Sequence, residues 1–497
     1  MSSQFNLHNL DVSDSVKAKL IQNLRGTVEG SDNVVVTPLG KNNDPEALLS
    51  GWDKVFQDNI GRMNSALLEI EESNRGKYGP RSIQKPWSER KESLEAYFHD
   101  QGARPVSSNV QLGNKLRPLS LDKAVQLLKN STNSGLPWYT RKSEIKDELV
   151  SNFDYYLGRQ DPCVLFTRTQ EQGKTRNVWG YPAADTLNEM RYYAPLLDYQ
   201  KKLSWRAALN SPDTVDRGIT NLINNAMISG KKLISIDFSA YDASVGKELQ
   251  QAAFNYVASL FQTSCSEDLE YIAQRFNTIG IVTPDGIWEK PHGVPSGSTF
   301  TNEVDSLAQF SVISNLGTVD ESTMQIQGDD GAYAVWADSI EETFKGFEQH
   351  GLKVNEEKSV IADDYVVYLQ KLYHNDYRQD DGLIGGIYST YRALSRLVYQ
   401  ERWSNFTDED ISGEDYYSLR AISILENCKY HPLFEELVKY VVEIDDRNLR
   451  FTENGLRSYI RMQQKDGTVG NITNQYGDKG NIKSFASYKL ISKIVGA

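Results

Sequence analysis

Apolar positions along this chain follow two periods, and short acid-rich turns sit where one period gives way to the other. Leu249, Ala253, Tyr256, Val257 and Leu260 recur three and four apart, the spacing of a buried helix face. Just upstream, residues 231–237 (KKLISID) read as a strand that ends on Asp237. Residues 323–327 alternate apolar and polar side chains, and 333–336 resume as a second strand rich in β-formers. Between them lies QGDDG. Gly328 permits a tight turn, Asp329 and Asp330 fill it, and Gly331 lets the chain return, which predicts a hairpin with two carboxylates at its tip. Residues 365–372 (YVVYLQKL) have strand composition, and residues 48–71, 88–98 and 344–350 read as helical. From about residue 390 the chain is mostly helical. Residues 1–30 form a polar arm with one amphipathic stretch, and 131–138 (STNSGLPW) are a loop punctuated by Gly135 and Pro137. Residues 466–480, rich in Gly and Asn, are predicted as loop ahead of a basic helix over 482–495. No internal repeat is visible.

At 497 residues the chain is long enough for roughly two to four lobes. Hydrophobic residues make up 39% and charged ones 24%, which places it among soluble globular proteins. No apolar run approaches the roughly 20 residues that span a bilayer. The start, MSSQFNLHNLDVSDS, lacks the basic and apolar regions of a signal peptide. Cys163, Cys265 and Cys428 are odd in number and far apart, giving neither a disulfide framework nor zinc spacing, and a reducing compartment is expected. The net charge of −13 argues against a nucleic-acid binder until its distribution is read. From Arg447 onward nine Lys or Arg face only Glu453, Asp466 and Asp478, and local field matters more than the total.

Paired carboxylates at a hairpin tip are costly without a cation, and hard divalent ions take oxygen ligands. A solvated turn is the plain alternative. Four other stretches change the balance. VLFTRTQEQGKTRNVWG (164–180) carries Arg168, Lys174 and Arg176, and alternation puts the last two on one side of a strand, where phosphate would relieve their repulsion. In FSAYDAS (238–244), Asp242 stands just before the helix, as a functional acid or as an N-cap. PHGVPSGSTFTNEVDSLAQFS (291–311) joins a Gly-Pro-Ser loop holding Ser296 and Gly297 to a helix. One face of that helix carries Thr301, Asp305 and Ala308, so it is either functional or a capped surface helix. Lys358, in LKVNEEKS, has the ordinary surface lysine as its plain reading. His292 and His374 read as structural, and the six His form no ligand pair at helical spacing.

The order of these pieces carries more than any one of them. Phosphate-type cations come first, then an acid at a strand end, a Ser-Gly loop with a polar helix, and an acid hairpin. In this order the chain resembles viral RNA-dependent RNA polymerases of the picornavirus-like supergroup. STNSGLPW matches the template-path loop, GKTRNVWG the motif lining the nucleotide path, and DFSAYDAS the first metal motif. GVPSGSTFTNEVDS matches the loop-helix motif, QGDDG the second metal motif and GLKVNEEKS the lysine motif, with YLQKL a weaker match to the primer-grip strand. The form of GVPSGS-x-FT-x₃-DS, and Gly331 after the acid pair, are most similar to picobirnavirus enzymes, then to partitivirus enzymes. Both groups have double-stranded RNA genomes.

The resemblance implies an α+β right hand. Residues 1–190 would be fingers with an N-terminal arm, 191–272 palm, 273–290 a return to the fingers, 291–387 palm and 388–497 a helical thumb with a C-terminal tail. It implies RNA-templated RNA synthesis by two-metal nucleotidyl transfer, copying and transcribing a double-stranded RNA genome. Asp237, Asp329 and Asp330 would hold Mg²⁺, with Mn²⁺ a possible substitute, and Lys358 would protonate the departing pyrophosphate. Lys174, Arg176 and Arg168 would bind the triphosphate, while Ser296 and Gly297 flex to admit template. Many relatives carry Asn where this chain has Asp305. Asp242, Thr301 and Asp305 would then read the ribose 2′-hydroxyl together. Either the two acids share a proton or Thr301 is the donor. Partners would be template and product RNA, ribonucleoside triphosphates and capsid protein, in the virion interior and host cytoplasm. Two rival readings remain. A reverse transcriptase would usually place an aromatic residue where Asp242 stands. A non-enzymatic RNA-binding or capsid-associated protein would use the acids only as turns and caps. The basic tail beyond residue 465 could fold back into the product channel.

Overall fold

The computed structural model describes residues 5–100, 102, 104–106, 114–403, 406, 410–465, 472–473, 479–480 and 482–496. Among these, the strands that organise the fold are β1 (Cys163–Thr169), β2 (Thr175–Gly180), β3 (Lys232–Ile236), β4 (Ile281–Thr283), β5 (Gly286–Trp288), β6 (Met324–Gln327), β7 (Asp330–Val335), β8 (Val360–Ala362), β9 (Tyr365–Tyr368), β10 (Lys371–His374) and β11 (Ile387–Tyr388). They form three sheets, ordered β2-β1-β4-β5, β6-β7-β3-β8 and β11-β10-β9. All pairs are antiparallel except β1 with β4, so the α+β class implied by the resemblance is the one observed. Residues 281–288 thus join the sheet of the 163–180 hairpin.

The central sheet lies on helices Lys247–Leu260 and Thr301–Leu316. Leu249, Ala253, Tyr256, Val257 and Leu260, the periodic residues, are all buried in that interface. Helix Thr301–Leu316 is no surface helix: every residue from Glu303 to Ile313 is buried. Its apolar side chains fill the core, and its polar ones, Ser306 and Gln309, face a backbone that needs partners. Gly328 N–H donates to Ser306 Oγ at 2.8 Å, and Gln309 Nε2 donates to Gly328 O at 2.7 Å. A buried polar group is tolerated when it is bonded, and here the bonds fix the acid hairpin from below.

Three local expectations are corrected. Asp330 is not in the turn: it opens β7 opposite Gln327, leaving Gly328 and Asp329 as a two-residue loop, with Gly328 at φ 64°. Gly331 lies inside β7 between Ile326 and Ile236, and the reason for glycine there is space. A Cβ at 331 would stand 2.5 Å from Gln309 Oε1 and 2.6 Å from the Tyr333 hydroxyl. Residues 365–372 are not one strand but the β9–β10 hairpin, turning on Leu369 and Gln370 at φ 50° and 63°. Neither residue is a usual left-handed turn former, so no turn signal was present to read.

The first 190 residues, expected as fingers, divide in their packing. Helix Asp14–Glu29 packs with Leu136 and Val164. Helices Pro45–Asp58 and Ser65–Arg75 instead place Leu48, Trp52, Phe56 and Leu67 in one core with Leu394, Leu397, Ile422, Leu425, Leu437 and Val441 of the C-terminal helices. A buried polar knot secures this junction. His431 Nε2 lies 2.8 Å from Glu71 Oε1, both residues fully buried, and Thr390 N–H and Oγ1 donate to the same carboxylate at 2.8 and 2.7 Å. Ser389 Oγ donates to its other oxygen. Burial alone would raise the Glu71 pKa, but these partners hold it below the usual carboxylate range. The final helix, Ala486–Val495, is docked: Ser487 N–H donates to Glu426 Oε2 at 2.9 Å and Ile491 is buried. Of the predicted loop at 466–480, the described residues include only 472–473 and 479–480. No helix among the described residues is long and apolar enough to cross a membrane.

Candidate active site

The β3–β7 register ends with Ile236 opposite Gly331, and one step further brings Asp237 alongside Asp330. Asp329 projects from the adjoining loop and is exposed, whereas Asp237 and Asp330 are half-buried. Two distant stretches of chain thus deliver three carboxylates to one edge. Burial raises the Asp237 pKa, and Asp329 adds to the rise while Lys358 and Lys174 oppose it. Burial, then the charges of Asp329 and Asp237, push Asp330 up to about 7, with Arg392 opposing. Burial and its acidic neighbours therefore favour a proton on Asp330 in the absence of a cation.

Lys358 reaches this edge by backbone bonding. Asn355 N–H donates to Asp237 O at 2.8 Å and Ser359 Oγ accepts from Asp237 N–H at 3.0 Å, so the turn bearing Lys358 is fastened to the acid it faces. The hairpin β1–β2 supplies the other cations. Lys174 lies at its turn, before β2 begins, and not on the strand face that alternation implied. Its charge acts on Asp237 and that of Arg176 on Asp242. Arg168 stands opposite Arg176 in the register, but its Nε lies 3.5 Å from Glu401 Oε2. Glu401 and Glu171 both pair with the buried Arg81, at 3.2 and 2.9 Å, and Glu171 pairs with Arg392 at 3.4 Å. Arg168 is thus the end of an ion chain tying the hairpin to the C-terminal helices, whereas Lys174 and Arg176 face the acids.

Asp242 and Asp305 act on each other through their carboxyls, and two buried acids so placed cannot both stay ionised cheaply. Burial, then Asp242 and Asp329, raise Asp305 well above the usual range; Asp242 rises less, to about 6, through burial and Asp329, with Arg176 opposing. Of the two, Asp305 holds a proton more readily. Thr301 is not the donor: its hydroxyl faces the carbonyls of Pro295 at 2.8 Å and Ser298 at 2.9 Å, so its hydrogen is committed to the loop. The loop itself lies flat on β2. Ser296 Oγ accepts weakly from Trp179 N–H at 3.4 Å, and a Cβ on Gly297 would fall 1.6 Å from Trp179 O, so only glycine allows this approach. At the far end Glu189 accepts from Ser298 Oγ at 2.9 Å and Thr299 N–H at 2.7 Å, and burial pushes its carboxyl up to about 8.

The donor set fits divalent cations: three hard carboxylates gathered at one edge, beside lysines suited to phosphate. Among the described residues, the group whose ligand atoms all lie within 4.8 Å of one another is Asp364, His374 and Asp376, on the β9–β10 hairpin rather than at the acid edge. There His374 Nδ1 already accepts the Asp376 N–H at 3.0 Å. Sequence reasoning missed Asn355, Ser359, Ser306, Gln309, Glu189 and Arg392. All are ordinary polar residues whose role depends on which backbone they meet, and one sequence carries no signal for that.

Comparison with known proteins agrees with this geometry. Residues 88–442 match the family model of the viral RNA-dependent RNA polymerases. A potential RNA-dependent RNA polymerase of human picobirnavirus is 30% identical over 460 residues, covering 85% of this chain and 84% of that one. An RNA-directed RNA polymerase of Cryptosporidium parvum virus 1 is 27% identical over 218 residues, covering 40% of this chain and 41% of that one. The crystal structure of the RNA-dependent RNA polymerase of a human picobirnavirus superposes with a TM-score of 0.79 at 25% identity, covering 99% of this chain and 98% of that one.

Proposed function

This chain belongs to the viral RNA-dependent RNA polymerases, and from that premise we propose how its residues divide the work of RNA-templated RNA synthesis. The family works with divalent metal ions; for this chain we assign Mg²⁺, with Mn²⁺ as a substitute, to Asp237, Asp329 and Asp330. Bound there, such ions would lower the pKa of a 3′-hydroxyl and offset charge on the pyrophosphate. The observation that carries the reading is the β3–β7 register, which sets Asp237 beside Asp330 and leaves three mutually repelling carboxylates at one edge.

The 3′-hydroxyl of the growing RNA gives its proton to solvent water as its oxygen attacks the α-phosphorus of the incoming nucleotide. The bond to the β-phosphate oxygen breaks, and pyrophosphate leaves. Lys174 and Arg176 bind and orient the triphosphate. Lys358 gives a proton to the leaving pyrophosphate, and its turn is supported at the site by the bonds between residues 355–359 and Asp237. Arg168 braces the hairpin through Glu401. Asp242 accepts from the ribose 2′-hydroxyl, and the proton shared with Asp305 supplies the donor that Asn supplies in many relatives. Ser296 and Gly297 flex as the loop admits template, an assignment supported by the weak 3.4 Å bond from Trp179 N–H to Ser296 Oγ.

The relatives named are polymerases of picobirnavirus and of Cryptosporidium parvum virus 1, and both support a double-stranded RNA genome as template. The same reading puts the enzyme in the virion interior and the host cytoplasm, with capsid protein as a partner. One assay tests the whole: purified protein, an RNA template, Mg²⁺ and either ribo- or deoxynucleotides. Ribonucleotide incorporation alone is expected. Preference for deoxynucleotides would make it a reverse transcriptase, and no synthesis at all would leave an RNA-binding protein.

A further inference from the structure

His292 is buried at 3% exposure just ahead of the loop that crosses β2. Its ring lies 4.4 Å from that of Trp179, with the Phe98 ring edge-on at 5.6 Å. Its backbone is held on both sides. The N–H donates to Asn277 O at 2.9 Å, and the carbonyl accepts from Gln250 Nε2 at 2.9 Å and Asn277 Nδ2 at 3.1 Å. Each ring nitrogen meets a carbonyl: Nδ1 is 2.8 Å from Gly293 O, and Nε2 is 3.0 Å from Ile279 O. Carbonyls only accept, so each contact needs an N–H. Burial pushes this imidazole down to about 4, so it is neutral in ordinary buffers and has a single N–H to give.

The Gly293 carbonyl shares its peptide plane with the Val294 N–H, which donates to the Asp242 backbone carbonyl at 2.7 Å. The preceding N–H, of Gly293, donates to Tyr97 O at 2.8 Å. The fit is close enough that a Cβ on Gly293 would lie 2.4 Å from Asp242 O. One peptide therefore links the imidazole to the backbone of the acid assigned to the ribose. A carbonyl that accepts a hydrogen bond polarises its own N–H, so the two bonds strengthen each other.

We propose that His292 is a positioning residue for Asp242: it donates from Nδ1 to the Gly293 carbonyl and, through that peptide, fixes where Asp242 stands, so it sets the discrimination between ribo- and deoxynucleotides. The Nδ1–H tautomer extends a chain of bonds to Asp242, whereas the Nε2–H tautomer would hold only Ile279. The inference rests on Asp242 reading the 2′-hydroxyl.

The test combines a spectroscopic and a kinetic readout on the full chain. In protein labelled with ¹⁵N-histidine, the His292 signals, assigned by their loss in His292→Asn, should show a protonated Nδ1 and a bare Nε2. His292→Gln, with its donor displaced toward the ε position, should lower the ratio of ribo- to deoxynucleotide incorporation about tenfold, the worth of one lost buried hydrogen bond. His292→Asn, with its donor near the δ position, should keep the wild-type ratio. An Nε2–H tautomer, or Asn and Gln variants with equal ratios, would overturn the proposal. Asp242→Ala is measured alongside. If it leaves the ratio unchanged, the ribose reading of Asp242 has failed and the proposal falls with it. If Asp242→Ala lowers the ratio and His292→Gln does not, the positioning role alone is wrong.

Discussion

Asp330 is a carboxylate that the fold pays to keep ionised, and removing its charge should stabilise the protein while impairing it. Its pKa is raised to about 7 from an ordinary 3.8, by burial first and by Asp329 and Asp237 next. In the unfolded chain it ionises near its ordinary value. The folded state binds its proton more tightly, so the cost to folding begins as pH rises above about 4 and is complete above about 7. A shift of some three units sets a ceiling of about 4 kcal/mol. Water at this half-buried edge screens the charges, so about 1–2 kcal/mol is expected. Asp330→Asn has the same shape without the charge. In chelator at pH 8 the variant should be more stable by that amount, measured as a shift in the urea midpoint, and the advantage should shrink toward pH 4. Adding Mg²⁺ should narrow the gap, because a ligand stabilises whichever folded form binds it better. A variant no more stable than wild type at pH 8 in chelator, or an advantage unchanged at pH 4, would refute the reasoning.

Asp305→Asn supplies a permanent donor where the protein shares a proton, so incorporation should survive and lose the acid-side pH dependence set by Asp242 and Asp305; a dead enzyme, or an unchanged profile, would count against the shared proton. Lys358→Leu should lower the catalytic rate by roughly 10²–10⁴ with RNA binding intact, which single-turnover kinetics and a filter-binding assay would separate. Glu71→Ala leaves His431 and Thr390 without their buried partner and should cost about 3–5 kcal/mol, seen as a lowered unfolding midpoint and earlier proteolysis between residues 58 and 78.

How far the sequence could be read depends on what each residue responds to. Strand β3, the helix Lys247–Leu260 and the acid hairpin were legible because period and turn chemistry are local properties. The candidate acids were legible because carboxylates at strand ends and tips are conspicuous against an apolar pattern. Lys174 was placed on a strand face because alternation says nothing about where a turn stops. Helix Thr301–Leu316 read as either functional or a capped surface helix, since Thr301 and Asp305 give it a polar face; only the hairpin packed beneath shows that Ser306 and Gln309 serve its backbone. The union of residues 45–75 with the C-terminal helices joins segments more than 300 residues apart, and no local pattern encodes such a contact. Arg392 and Glu189 are invisible for the same reason. The raised pKa values of Asp242 and Asp305 were foreseeable from chemistry alone, because two acids brought close together cannot both stay ionised cheaply.

The central claim is that Asp237, Asp329 and Asp330 bind the divalent ions that make this edge a polymerase centre. Asp329→Asn keeps the shape and removes one charge from the exposed tip of the hairpin. Nucleotide incorporation on an RNA template, measured across a Mg²⁺ titration with the folded variant, tests it most directly. The account predicts a loss of several orders of magnitude that no Mg²⁺ concentration restores. Near-normal incorporation by a correctly folded Asp329→Asn protein would contradict it.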